Sequence, residues 1–333
     1  MFKKVLFILL LLILPLSLIS CGTNGVKNNF TGNWEGSKKE VASFEKDGSF
    51  TAPAYWDDGS YVVDGDYLII SSESGDSRRY KYEIETDQKK PKNYILRLYN
   101  EDGTRAYEFK RNKNFIEYGL ILLPQMLKSS LVTLQLFLLT LLFSLPLGLP
   151  FALGGNSKIL PLRWICKTYV WLFRGTPLLL QLFFFYFFLP IAFDIRFSAF
   201  TTTVITFSLN YAAYFAEIYR AGIESIDRGQ REAARSLGVS KTRTMFDIIL
   251  PQTIKRILPP VTNESITLIK DTALAFTISV AELMKAARTP VNRDGDATAF
   301  AIAAAIYLVF TFVLTVLSRR LETRFSRHLA KGE

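Results

Sequence analysis

An all-α membrane region of five spans, preceded by a small antiparallel β domain, is the fold class that the sequence predicts, and three observations predict it. The apolar runs 129–153, 177–193, 199–219, 256–280 and 297–318 approach or exceed the roughly 17–25 residues that cross a bilayer. Residues 22–118 instead read as ordinary soluble protein, with short β-like segments separated by turns. Charge divides the chain in the same way: 17 basic and 17 acidic residues precede Tyr118, so the whole formal excess of +10 lies beyond it. An excess confined to connectors between apolar runs sets topology. It speaks against a nucleic-acid partner, which needs a basic patch on a folded surface.

The first element is an export signal. Lys3 and Lys4 precede an apolar run over 5–19, and Ser20 leads to Cys21; a basic start, an apolar stretch and small residues at its exit are the parts of a secretory signal. Leu18-Ile19-Ser20-Cys21 resembles a bacterial lipoprotein box, which implies removal of residues 1–20 and lipid on Cys21, at the head of a tether over 21–29. An uncleaved signal anchor with an incidental cysteine would export the following residues equally. The second cysteine, Cys166, falls on the other side of the membrane in the topology below, so no disulfide is expected.

The β domain is expected over 30–113. Segments 49–51, 61–63, 67–70, 80–84, 94–99 and 107–109 are strand-like, and Asp47-Gly48, Asp58-Gly59, Asp64-Gly65, Gly75-Asp76 and Asp102-Gly103 separate them with turn chemistry. The spacing is that of a small antiparallel sheet or barrel. The opening Phe30-Thr31-Gly32-Asn33-Trp34 is similar to the Gly-x-Trp start of lipocalin-like barrels, and Trp34 is expected in the core, because large aromatics close small cores. With no histidine and no cysteine after Cys21, this domain offers no catalytic constellation, and it is too short for a full solute-binding domain.

Topology follows from the connectors. The connector 154–176 carries Lys158, Arg163, Lys167 and Arg174 with no acid, 220–256 carries eight basic residues against four acids, and Arg319, Arg320, Arg324 and Arg327 follow the last run. Placing these inside puts the β domain and the loop 281–296 outside and the tail 326–333 inside. Residues 114–128 read as an interfacial lead-in to the first span. Residues 162–173, with Trp164, Tyr169 and Trp171 among basic side chains, suit a headgroup boundary. Gly175-Thr176-Pro177 breaks that segment, and Pro177 can open the next span, where a missing N–H costs nothing.

The long cytoplasmic connector, 222–251, is the most informative. Gly229-Gln230-Arg231-Glu232-Ala233-Ala234-Arg235-Ser236-Leu237-Gly238 reads as a short helix and a glycine turn, followed by a second helix stopped or kinked at Leu250-Pro251. Glu-Ala-Ala, three residues, Gly, nine residues, Ile, one residue and Leu-Pro resembles, without a gap, the coupling motif of permeases of ATP-binding-cassette (ABC) importers. The strings Arg174-Gly175-Thr176-Pro177-Leu178-Leu179-Leu180-Gln181, Asn210-Tyr211-Ala212-Ala213-Tyr214-Phe215-Ala216-Glu217 and Leu268-Ile269-Lys270-Asp271-Thr272 are similar to the branch serving polar amino acids such as histidine, glutamine, arginine and glutamate. The resemblance covers about 119–325. It implies the type I importer fold, with Glu232, Ala233, Ala234, Gly238, Leu250 and Pro251 coupling to a cytoplasmic ATPase dimer, a second permease copy or a sister permease completing the pore, and an extracytoplasmic amino-acid-binding protein delivering substrate.

Polar residues inside the spans are the remaining candidates. Gly148, Ala212, Ala213 and Ala216 are read as packing positions. Asn210 and Glu217 on one helix, and Asn263, Glu264, Thr267, Lys270 and Asp271 on another, are costly in hydrocarbon and normally face a partner or a watery path. Helical spacing puts Asn263, Thr267 and Lys270 on one face and Glu264, Thr267 and Asp271 on an adjacent strip. They are expected to line the translocation path or gate, or alternatively to form salt links to Glu217 or the partner permease. The chain has no Gly-rich phosphate loop, so ATP and magnesium are expected on a separate subunit, with no cofactor, metal or catalytic residue here. Competing readings are a permease for another small solute, a secondary transporter, and an anchored surface lipoprotein whose β domain is the working part.

Overall fold

The computed structural model describes residues 30–36 and 40–326; the export signal, Cys21 and the 21–29 tether lie outside the described residues, as does most of the 326–333 tail. The chain divides into two compact units, one running to Leu122 and including Asn292–Thr298, the other comprising Leu123–Val291 and the chain from Ala299 on.

Eight antiparallel strands build the first unit: β1 Gly32–Gly36, β2 Val41–Phe44, β3 Ser49–Thr51, β4 Gly59–Asp64, β5 Tyr67–Ser72, β6 Ser77–Thr86, β7 Asn93–Tyr99 and β8 Arg105–Asn112. Each pairs with its sequence neighbour, and β8 returns to β1 to close a barrel. Four of the five expected turns form hairpins, the exception being Asp58-Gly59, whose glycine opens β4 and pairs with Phe50 and Ser72; at the first, Asp47 Oδ1 accepts from Ser49 N at 2.9 Å while Gly48 takes a φ of +90°, a left-handed conformation that glycine adopts without a Cβ penalty. Alternate residues point inward, and Phe30, Trp34, Phe44, Phe50, Trp56 and Phe109 fill the interior. Trp34 is fully buried and donates from Nε1 to Phe30 O at 2.8 Å, so it is a core residue. β1 and β2 are absent from the strand-like segments read in the sequence, because β1 offers a single large apolar residue between two glycines.

The barrel is joined to the first helix without a slack linker. Lys113 is buried, and its Nζ donates to Pro91 O, Asn93 O and Thr86 Oγ1. Burial pushes its ammonium down to about 8. Asn114 and Glu117 then cap one another, Asn114 Oδ1 accepting from Glu117 N at 2.9 Å and Glu117 Oε2 from Asn114 N at 3.0 Å, a reciprocal box that starts a helix. In the same unit, Lys92 Nζ lies 2.8 Å from Asp296 Oδ2, and Tyr118 donates to Asp294.

The helices are α1 Phe115–Gly155, α2 Leu160–Gly175, α3 Leu178–Phe193, α4 Ala199–Glu224, α5 Arg228–Ser236, α6 Leu250–Asp271, α7 Leu283–Asp294 and α8 Thr298–Ser326. The capping box starts α1 at Phe115, so the expected lead-in over 114–128 is the first part of one 41-residue helix. Pro251 does not stop the second helix of the 222–251 connector. A π-helical stretch over Thr244–Ile249, in which Leu250 N bonds Met245 O, widens the turn before the proline, and the helix continues into α6 and a 3₁₀ segment over Thr272–Ile278. Most of the expected loop 281–296 is α7, which Glu282 caps by accepting from Met284 N and Lys285 N, each at 2.7 Å.

Among the described residues, Phe115–Gly155 and Thr298–Arg324 are long and apolar enough to cross a membrane by themselves, and α2 with α3, bent by 106°, adds a third if taken as one broken span. The helices α4 and α6 carry Glu217 and Arg220, and Glu264, Lys270 and Asp271, which lowers their hydropathy. The small residues pack as expected. Ala212, Ala213 and Ala216 are buried, and a Cβ on Gly148 would meet Ala212 O at 3.0 Å, Phe215 Cβ at 3.0 Å and Ala216 N at 3.1 Å. Cys166 is a buried free thiol.

Candidate functional site

One turn of α4 organises the polar centre of the second unit. Asn210 is buried, and its Nδ2 donates to Gln181 Oε1 at 2.9 Å and to Phe173 O at 3.1 Å, on the two sides of the α2–α3 bend. The next residue, Tyr211, points to α6 and donates to Asp271 Oδ2 at 2.7 Å. Between these anchors lies a cavity of about 550 Å³. Its lining unites two groups that the sequence reading treated separately: Arg174, Gly175, Thr176 and Pro177 from the bend, and Asn210, Glu264, Thr267 and Asp271 from the helices.

The strip Glu264, Thr267, Asp271 is thus the one that faces the cavity. Asn263 and Lys270, on the neighbouring face, are outside its lining and exposed in the single chain. Glu217 stands behind Arg174: its carboxylate accepts from Arg220 Nε at 3.0 Å, lies 3.8 Å from Arg174 NH1, and lines an adjacent cavity of about 540 Å³. Its cations are therefore Arg220 and Arg174, and neither Lys270 nor Asp271 links to it. Arg174 also lies over the Tyr214 ring, 5.4 Å from its centre. Tyr211, Tyr214 and Gln181 escaped the sequence reading as site residues, although all three stand in the strings quoted above. Nothing in spacing alone shows that Gln181 turns back across a bend.

On the segment expected to couple, Asp227 caps α5 by accepting from Gly229 N at 2.6 Å. Gly238, at φ +73°, ends the helix with Val239 N bonded to Ala234 O at 2.9 Å, the 6→1 bond of a glycine-terminated helix. Ala234 is buried, Glu232 and Ala233 are exposed, and Leu237 at the tip is 82% exposed. Arg231 NH2 to Ile223 O at 2.9 Å and the Gln230–Gln252 amide contact at 3.0 Å tie α5 back to the flanking helices. Leu250 and Pro251 sit at the base of α6.

The sequence pattern of the family described as binding-protein-dependent transport system inner membrane component matches residues 144–327. The L-cystine transport system permease protein TcyB of Bacillus subtilis is 42% identical over 201 residues, covering 60% of this chain and 86% of that protein. The arginine transport system permease protein ArtQ of the same organism is 38% identical over 207 residues, covering 61% and 93%. A crystal structure of an amino acid ABC transporter with histidines superposes with a TM-score of 0.60 at 36% identity, covering 64% of this chain and all of that one. The family match, over more than half its length, places the chain in the binding-protein-dependent transport system inner membrane component family, the membrane-spanning permease part of ABC importers.

Proposed function

We propose that this permease imports polar amino acids and that its substrate is held in the cavity between Arg174 and the Glu264–Asp271 strip. The observation that carries the reading is the charge of that cavity, with a guanidinium on one wall and two carboxylates two turns apart on the other. A zwitterion offers its carboxylate to the guanidinium and its ammonium to the carboxylate wall, whereas an uncharged solute offers a full charge to neither. The permeases for cystine and arginine among its relatives support the same class.

The rest of the reading follows the family's logic. Five spans cross the inner membrane with the barrel outside and the C-terminus inside. The start of β1 and the start of α1 leave the barrel at one end, since an even number of up-and-down strands returns the chain to the end it entered. Glu232, Ala233 and Leu237 meet a cytoplasmic ATPase dimer that binds ATP and magnesium, while Ala234, Gly238, Leu250 and Pro251 shape the element that transmits its closure. Asn263 and Lys270 face a second copy of this chain or a sister permease, and ATP binding shifts the pair between inward and outward states. An extracytoplasmic amino-acid-binding protein delivers substrate, and the barrel guides it to the outer mouth.

Gentle affinity purification from native membranes tests this assembly. Recovery of an ATPase and an amino-acid-binding protein with the chain supports it. Recovery of the chain alone, under conditions that preserve other ABC importers, sinks the coupling reading and shifts attention to the barrel.

A further inference from the structure

We propose that Gln181 is a positioning residue for the cavity: it holds Arg174 in place through the Gly175-Thr176-Pro177 turn without itself lining the cavity. The inference rests on the reading of the cavity just given. The turn poses a backbone problem. Pro177 has no N–H and favours an extended residue before it, and Thr176 is extended, at φ −119° and ψ 145°. The carbonyls that end α2 therefore lose helical partners where the chain bends by 106°, and in an apolar surrounding each needs another.

Gln181 supplies one for Phe173 O, the carbonyl whose helical donor would have been the missing N–H of Pro177. Its Nε2 lies 2.8 Å from Phe173 O, 3.1 Å from Thr176 O and 2.8 Å from Thr176 Oγ1. Because the Thr176 hydroxyl gives its own hydrogen to Leu172 O at 2.8 Å, all three atoms are acceptors towards the amide. A flipped Gln181 would set its oxygen against three acceptors, so chemistry allows one orientation. In that orientation Oε1 accepts from Asn210 Nδ2 at 2.9 Å, and Asn210 shares Phe173 O with it at 3.1 Å. One buried amide pair thus ties the end of α2, the turn, α3 and α4 together. Arg174 is the residue after Phe173 and the first of the turn, and Gln181 is not among the residues lining the cavity that Arg174 enters. Removing the Gln181 amide frees Thr176 O and leaves Phe173 O to Asn210 alone, so the backbone on both sides of Arg174 loosens and the guanidinium loses its fixed place on the wall.

The test is equilibrium binding of radiolabelled L-arginine, L-glutamine and L-cystine to the purified permease–ATPase complex, following the amino acid that binds tightest. Gln181→Met keeps the shape and removes the amide; Kd is expected to rise about tenfold, the scale of a lost charge-reading contact. Competition by the same amino acid as its α-carboxamide, weak against wild type, is expected to approach that of the free acid. In an Arg174→Gln background Gln181→Met is expected to add little, since residues acting as one unit are non-additive. A full further rise in that background, or intact discrimination against the carboxamide, overturns the positioning role. Arg174→Gln with an unaltered Kd, or no binding of any of the three by wild type, overturns the cavity reading instead. Should Gln181→Met fail to accumulate, Thr176→Val, which removes one of its three acceptors, carries the same comparison with a smaller rise expected.

Discussion

Tyr211 of α4 donates its hydroxyl hydrogen to Asp271 Oδ2 of α6 across 2.7 Å, and the contact joins the two helices that carry most of the polar residues of the membrane unit. It orients one of the two carboxylates of the cavity while Glu264, two turns earlier, shares the same wall. Tyr211→Phe keeps the ring in its buried place and removes the bond. We expect amino-acid binding to weaken about tenfold, as for loss of a hydrogen bond to a charged group, with near-normal amounts of protein in the membrane. Equilibrium binding to the purified complex checks it.

Gly148 meets α4 backbone where a Cβ would sit 3.0–3.1 Å from Ala212 O and Ala216 N. Backbone cannot swing aside as a side chain can, so Gly148→Val forces α1 away from α4, at about 1–3 kcal/mol for overpacking. A lowered Tm of the detergent-solubilised protein is expected, while the same change at Gly155, which has open space around its Cβ position, is expected to cost far less.

The two alanines of α5, the helix proposed to couple, differ in what they face. Ala233 is exposed and Ala234 is buried against the permease. Ala233→Arg and Leu237→Arg are expected to abolish co-purification of the ATPase with a folded permease, because a small or apolar interface residue becomes a bulky charge. Ala234→Leu is expected to lower the Tm of the permease itself. Pull-down and thermal melts on the same preparations separate the two outcomes.

Lys113 gives the barrel a pH dependence. Burial lowers its ammonium from 10.5 to about 8, so the folded state disfavours the charged form. Between those values the unfolded chain binds the proton that the folded barrel has released, and stability rises with pH. The penalty is full below about pH 8 and is relieved by about pH 10.5. Resistance of the barrel to limited proteolysis is expected to increase from pH 7.5 to 10, and Lys113→Met is expected to remove that increase.

The helix over Arg228–Ser236, the strand-rich first unit and the packing role of Ala212, Ala213 and Ala216 were legible because each rests on residues close together in the chain. Asp47-Gly48 and Asp102-Gly103 announce their own turns, and Glu232 to Gly238 spell a helix with its glycine end. The site was legible only in pieces. The Glu264, Thr267, Asp271 strip follows from helical spacing, but its meeting with Arg174 depends on a bend held by Gln181 and Asn210, 29 residues apart. The same holds for β1, whose place is set by β8 at the far end of the domain, and for α7, whose start depends on the buried cap Glu282. Continuity through Pro251 needed the π-helical turn before it, which no residue type signals.

The most direct test of the central claim is ATP-dependent accumulation of labelled amino acids in proteoliposomes holding this chain, its ATPase and its binding protein. Accumulation of a polar amino acid by wild type, lost in Glu264→Gln and Asp271→Asn complexes that still assemble, is the result expected. No accumulation of any amino acid by the intact wild-type complex, or undiminished uptake by both variants, would contradict the claim that this cavity carries them.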